Sequence, residues 1–155
     1  LNRAFLSALA ALAALAAVVA GCGGGGDTTD STVSLTKAEF IKQGDAICTE
    51  ANEQNQSEAE EFAEENGFEL EGAGKKQLEE AVAEVLAPGL SRQAEELDAL
   101  GAPEGDEEKI EEIVVSLEDT AGEIEDEPGL VFESAALKEP SELAQDYGFK
   151  ICGEG

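Results

Sequence analysis

Three cysteines, Cys22, Cys48 and Cys152, and 36 carboxylates are the side chains of this 155-residue chain with the means to do chemistry. A thiolate is a nucleophile and a soft metal ligand. Two carboxyls in unlike environments make a general acid and base, and carboxylate oxygens alone suffice for calcium. Histidine is absent, as are Met and Trp. That excludes histidine-based triads, imidazole metal ligands and the usual neutral-pH proton shuttle. It also excludes the Glu-x-x-His pattern of di-metal helical bundles. Acids are everywhere, so no pair stands out, and most fall on helix faces opposite an apolar stripe. Two groups are candidates for calcium: Glu123, Glu125, Asp126 and Glu127, and the run of acids from Glu60 to Glu65. Neither has the Asp-x-Asp-x-Asp-Gly spacing of a calcium loop. Gly23 to Gly26 has neither the preceding strand nor the following Lys of a phosphate cradle. We therefore expect no catalytic residue, no resident metal and no cofactor.

Cys22 is set apart by what precedes it. Arg3 is followed by an apolar stretch from Ala4 to Ala20, then by Val19-Ala20-Gly21-Cys22. A basic start, an apolar middle and small residues at the cut make a secretory signal peptide over 1–21. The Gly-Cys at the cut resembles the lipobox of bacterial lipoproteins. That resemblance implies a diacylglycerol on the Cys22 sulfur and an acylated amine, hence two or three chains such as palmitate. Two chains anchor stably where one does not, at about 0.8 kcal/mol per buried methylene. Two other readings share the stretch. A retained membrane helix would be short, rich in alanine and without flanking basic residues. In plain secretion without lipid, the Gly-Cys would be coincidence. Residues 22–34 then form a lipidated cysteine and a flexible tether, since Gly23 to Thr32 holds no apolar residue. Its reach is about 20 Å.

With Cys22 committed to lipid, Cys48 and Cys152 remain as an even pair. Outside the cytoplasm such a pair is expected to form a disulfide. The alternative is a reactive or metal-binding thiol pair, but no Cys-x-x-Cys motif marks one. A bridge would close a loop of about a hundred residues, worth about 4.7 kcal/mol in the chain-entropy model.

The formal net charge is −27, and it becomes −28 once a 1–21 signal carrying only Arg3 is removed. So negative a surface repels nucleic acid and anionic headgroups. We expect no nucleic-acid partner. The acids are read first as a solubilising surface; a salty habitat or a cationic partner is the other reading.

The elements that must position these residues are helices, in a bundle domain over 35–155. Thr36 and Glu39 make a capping box, with Leu35 and Phe40 as the hydrophobic staple. The inward stripe of the first helix is Phe40, Ile41, Gly44, Ile47, Cys48 and Ala51, which turns Cys48 toward the core. Beyond Asn52 the pattern weakens, and the end is expected to overshoot the core or fray before Asn66-Gly67. A second helix from Lys75 carries Leu78, Val82, Val85, Leu86, Leu90, Ala94, Leu97 and Leu100, with a kink or break at Pro88-Gly89. A third starts after Asp106 as N-cap and has the cleanest stripe: Ile110, Ile113, Val114, Leu117, Ala121 and Ile124. A short helix is expected around Leu130 to Leu137, and a last one from Pro140 holds Leu143, Ala144 and Tyr147. Tyr147 reads as a core or cap aromatic, the alternative being a ligand platform. Gly148 is a C-terminal cap, with Phe149 beyond it. No segment alternates with period two. The fold class is all-α, an antiparallel bundle of about four helices with one disulfide, preceded by a signal helix and tether.

Lys37-Ala38-Glu39-Phe40-Ile41, Asp45-Ala46-Ile47-Cys48 and Ala51-Asn52, taken with Tyr147-Gly148-Phe149 and Cys152-Gly153, resemble a group of small actinobacterial lipoproteins of unassigned function. The resemblance rests on the two ends of the chain. It implies the membrane anchor and a Cys48–Cys152 link, and brings no catalytic residue. The expected function is that of a lipoprotein on the extracytoplasmic face of the cell membrane: a non-catalytic binding or structural module for an envelope protein or cationic partner. The alternative is a carrier of a small ligand or of a cation such as calcium, in a pocket between helices near Pro88. An enzyme working through carboxylates alone is the weakest reading.

Overall fold

The computed structural model describes residues 34–133 and 136–153. Among them are helices and turns and no strand. The first helix, α1, runs Lys37–Glu65. It starts where local chemistry satisfies its orphan donors: the Thr36 hydroxyl accepts the Glu39 N–H at 3.3 Å, and the Glu39 carboxylate accepts the Thr36 N–H at 3.0 Å. The Thr36 hydroxyl, which also donates to that carboxylate at 2.6 Å, and then the Thr36 N–H hold the Glu39 carboxyl below its ordinary pKa. Of the two expectations for its end, overshoot rather than fraying is what occurs: the last turns run past the central core with Glu60, Glu61, Glu64 and Glu65 exposed. The helix continues to Glu65 because its last turn closes on itself: Gly67 N–H reaches Glu64, Phe68 N–H reaches Ala63, and the Phe62 and Phe68 rings pack edge to face at 6.1 Å.

The second segment is interrupted just before Pro88: it forms two shorter α-helices joined by a turn of helix without a gap. Helix α2, Lys75–Ala81, passes into a π-helical turn over Val82–Leu86, and that passes into α3, Ala87–Ala99. In the π turn the Ala87 N–H reaches back five residues to Val82. Proline lacks an N–H and its ring collides with the carbonyl four residues earlier. The wider turn relieves that collision just before Pro88, which then lies in the first turn of α3, where its missing donor costs nothing.

Helix α4, Glu107–Asp126, buries its whole predicted stripe from Ile110 to Ile124, and Thr120 besides. In place of the short α-helix expected around Leu130 to Leu137 there is a 3-10 turn over Pro128–Glu133. The last helix, α5, spans Lys138–Tyr147, so it starts two residues before Pro140, which lies within its first turn. Gly148 closes α5 at φ 119°, a left-handed conformation that glycine alone adopts without strain. The Phe149 N–H returns to Ala144, and its ring turns inward.

The packing register is antiparallel and legible in single contacts. Going up α1, Gly44 faces Leu97, Cys48 faces Gln93, and Asn55 faces Gly89. The number rises on one helix as it falls on the other. The core joins these helices to α4, α5 and the C-terminal tail. At its centre Phe40 is fully buried, with ring centroids 6.0 Å from Tyr147 and 5.9 Å from Phe149. Burying such a ring contributes about 1.5–3 kcal/mol. Phe40 thus ties the start of the domain to its end. Among the described residues no helix is long and apolar enough to cross a membrane.

Candidate functional site

Cys22, the lipidation candidate, lies outside the described residues, as do the 1–21 signal and nearly all of the tether. The other two cysteines are joined. Cys48, on the buried stripe of α1, is bonded to Cys152 in the C-terminal tail, across 104 residues and with their Cα atoms 5.2 Å apart. They are therefore not a free thiol pair.

Four residues build the clasp around the disulfide. Gly44 lies one turn before Cys48, and a Cβ there would collide with the ring of Phe149. The Asp45 carboxylate accepts the backbone N–H groups of Lys150 and Ile151 at 3.0 and 2.8 Å. Gln93, itself buried, donates from Nε2 to the Cys48 sulfur at 2.8 Å. The Gln145 amide adds a bond to the Gly153 carbonyl from α5. This is a structural closure. Reactive sulfur needs an electropositive, exposed setting, whereas Cys48 is buried and the side chain bonded to it is a neutral amide. Sequence reasoning placed Cys48 and Gly44 on the inner stripe. It did not find the work of Asp45 and Gln93, because an Asp or Gln on a helix carries no local sign of a partner a hundred or forty-five residues away.

Tyr147 is a core aromatic, as one of the two readings held. Its hydroxyl donates to Asp106 Oδ2 at 3.0 Å, and Lys37 Nζ lies 3.9 Å above its ring centroid. Burial first, and then the adjacent Asp106 carboxylate, push the phenol well above its ordinary pKa. Lys109 donates to Asp106 Oδ1 at 3.2 Å. That bond, and then the Tyr147 hydroxyl, hold the Asp106 carboxyl below its ordinary range. Asp106 does precede α4, but its side chain makes no capping bond to the helix backbone. Asp106 is the N-cap residue as expected, its carbonyl accepting the Lys109 and Ile110 N–H groups, but its carboxylate is taken up by Lys109 and Tyr147 instead. A neutral phenol and an ionised, ion-paired carboxylate provide a structural link rather than an acid–base pair.

Across α1 and α3, Arg92 donates to Glu58 at 2.7 Å and approaches Asn55 at 3.4 Å. Gln54 first, and then Arg92, hold the Glu58 carboxyl below its ordinary pKa.

Of the surface grooves among the described residues, two bear on function. One, about 380 Å³, lies between α4, the 3-10 turn and α5. The other, about 280 Å³, lies along the π turn, walled by Ala59, Leu78, Val82, Val85, Leu86 and Phe132. Phe132 is 45% exposed there. The calcium candidates are not drawn together. Glu123 lines the first groove, while Glu125, Asp126 and Glu127 are exposed around the end of α4. Glu60, Glu61, Glu64 and Glu65 are exposed along the end of α1. Among the described residues, no three acidic or cysteine side chains converge as a metal would require.

Fold and site together define, among the described residues, an all-helical, disulfide-clasped antiparallel bundle with open surface grooves. Comparison with protein-family models, with curated proteins and with solved structures finds no match to this chain.

Proposed function

We propose that this chain is a lipoprotein moored to the extracytoplasmic face of the cell membrane through Cys22, and that its helical domain is a non-catalytic binding or structural module with an acidic surface. The observation that carries the reading is Val19-Ala20-Gly21-Cys22 directly behind the apolar run Ala4 to Ala20. A stable disulfide between Cys48 and Cys152 supports export, because such bridges persist in oxidising compartments. The partner is an envelope protein or another cationic surface, since a net charge of −27 repels nucleic acid. Two measurements test the mooring. Labelled palmitate is expected to enter the expressed protein, and Cys22→Ser is expected to release it from the membrane fraction. Unlabelled protein, or a variant held as firmly as before, sinks the proposal. Crosslinking on intact cells identifies the partner.

A second reading, a carrier of a small ligand, is favoured by the groove along the π turn. Its wall is almost wholly apolar and lies just before Pro88. π turns recur at functional sites. A fluorescent fatty acid is the probe: saturable binding that Phe132→Asp abolishes supports the carrier, and unsaturable partitioning counts against it. A cation-carrying version predicts that millimolar calcium raises the melting temperature by several degrees at constant ionic strength.

A further inference from the structure

We infer that the groove between α4 and α5 is the docking site of the module, and that its occupant is a basic amphipathic helical segment of a partner protein. This rests on the binding-module reading above and adds the place and the partner's chemistry. The outward face of α4 is mostly acidic, as a solvated face should be, and Val115 stands out on it as an exposed large apolar side chain. That side chain is 44% exposed. Its neighbours three and four residues away on the same helix face are Glu111, Glu112, Glu118 and Asp119. An apolar side chain ringed by four acids adds nothing to solubility. It does form one wall of the 380 Å³ groove, together with Leu130 and Leu143. Around this apolar strip stand Glu112, Asp119, Glu123, Glu133 and Glu139, and no Lys or Arg among the described residues lines the groove.

That arrangement specifies its occupant. The groove follows α4 from Glu112 to Glu123, about 16 Å or three helical turns. A helix laid there places apolar residues at i, i+3/i+4 and i+7 against Val115, Leu130 and Leu143. Lys or Arg on its flanks reaches the carboxylates on both rims. Charge complementarity speeds the encounter and excludes acidic competitors, and the apolar contact slows release. A purely polar cation leaves the floor unfilled, and an uncharged apolar helix leaves the rims unpaired.

The test uses the full chain, immobilised through a C-terminal tag in detergent-free buffer, and a labelled 18-residue amphipathic peptide of Lys and Leu. A scrambled peptide of the same composition is the control. Saturable binding of the amphipathic peptide is expected to exceed that of the scrambled one and to weaken as salt is added. The triple variant Glu112→Gln, Asp119→Asn, Glu123→Gln should bind about tenfold more weakly. The charge-matched triple Glu60→Gln, Glu61→Gln, Glu64→Gln on α1 should stay within about twofold, and Val115→Ser should lose several-fold. Far-UV circular dichroism unchanged from the parent checks that each variant folds. Equal weakening by the two triples means non-specific attraction and overturns the inference, as does no binding at low salt. A partner crosslinked on cells that still binds the groove triple leaves the binding-module reading standing and removes this site alone.

Discussion

The Asp45 carboxylate accepts the backbone N–H of Ile151 at 2.8 Å across 106 residues of sequence. The Lys150 N–H joins the same oxygen at 3.0 Å. One turn along α1, Cys48 makes the covalent link to Cys152. The tail is therefore held at two points on one helix face, and the anionic bonds preset the geometry in which the sulfurs meet. Hydrogen bonds to a charged group contribute about 1.5–3 kcal/mol. Asp45→Ala is expected to lower stability to urea by about that amount, and Asp45→Asn, which keeps an acceptor oxygen, by less. Equal losses in the two variants would show that the oxygen is not what matters.

Breaking the clasp itself has a larger and more local consequence. Cys152→Ser should cost about 2–4 kcal/mol by releasing a 104-residue constraint on the unfolded chain. Trypsin should then cut after Lys150 at a concentration that leaves the parent intact, as read by mass spectrometry. Unreduced parent protein should yield linked Cys48 and Cys152 peptides. A variant as resistant to trypsin as the parent would mean that Asp45 holds the tail alone.

Gly44 tests the close approach of the tail to α1. A Cβ at this position runs into the Phe149 ring and presses on Leu97 at 3.1 Å. Overpacking of this kind costs about 1–3 kcal/mol. Gly44→Ala is expected to destabilise within that range, and Phe149→Leu in the same chain to recover part of the loss. The two substitutions should be non-additive in a double-mutant cycle. Strict additivity would place Phe149 elsewhere.

Tyr147 gives the domain an alkaline limit. Its folded pKa lies above the unfolded value of 10.0, so the folded state retains the proton longer than the unfolded state does. Stability from this group is complete below pH 10 and declines as pH rises beyond it. The parent should lose urea stability between pH 9 and 11 more steeply than Tyr147→Phe, with the difference between the two curves isolating the phenol from the lysines. Parallel curves would contradict the burial of the hydroxyl against Asp106.

Much of this domain was legible residue by residue, because helix starts, stops and faces are local matters. Thr36 and Glu39 announce α1 within four residues, Gly148 and Phe149 announce the end of α5, and every apolar residue of the α4 stripe is inside. The Cys48–Cys152 pair was also expected, since setting Cys22 aside for lipid leaves two cysteines with only each other.

What stayed hidden is whatever depends on a second segment. Pro88 reads as a kink or break, but nothing local shows that a π turn before it absorbs the collision. Asp106 is the N-cap its position announces, but nothing local shows that its carboxylate serves Lys109 and Tyr147. Asp45 is one acid among 36 until the tail lies across it. Val115 is one more apolar residue until α5 closes the far side of its groove. Periodicity and capping act over a few residues and are written in the order of the chain. Long-range hydrogen bonds, close approaches and grooves depend on distances through space between helices, and a linear string carries those only after the core has packed.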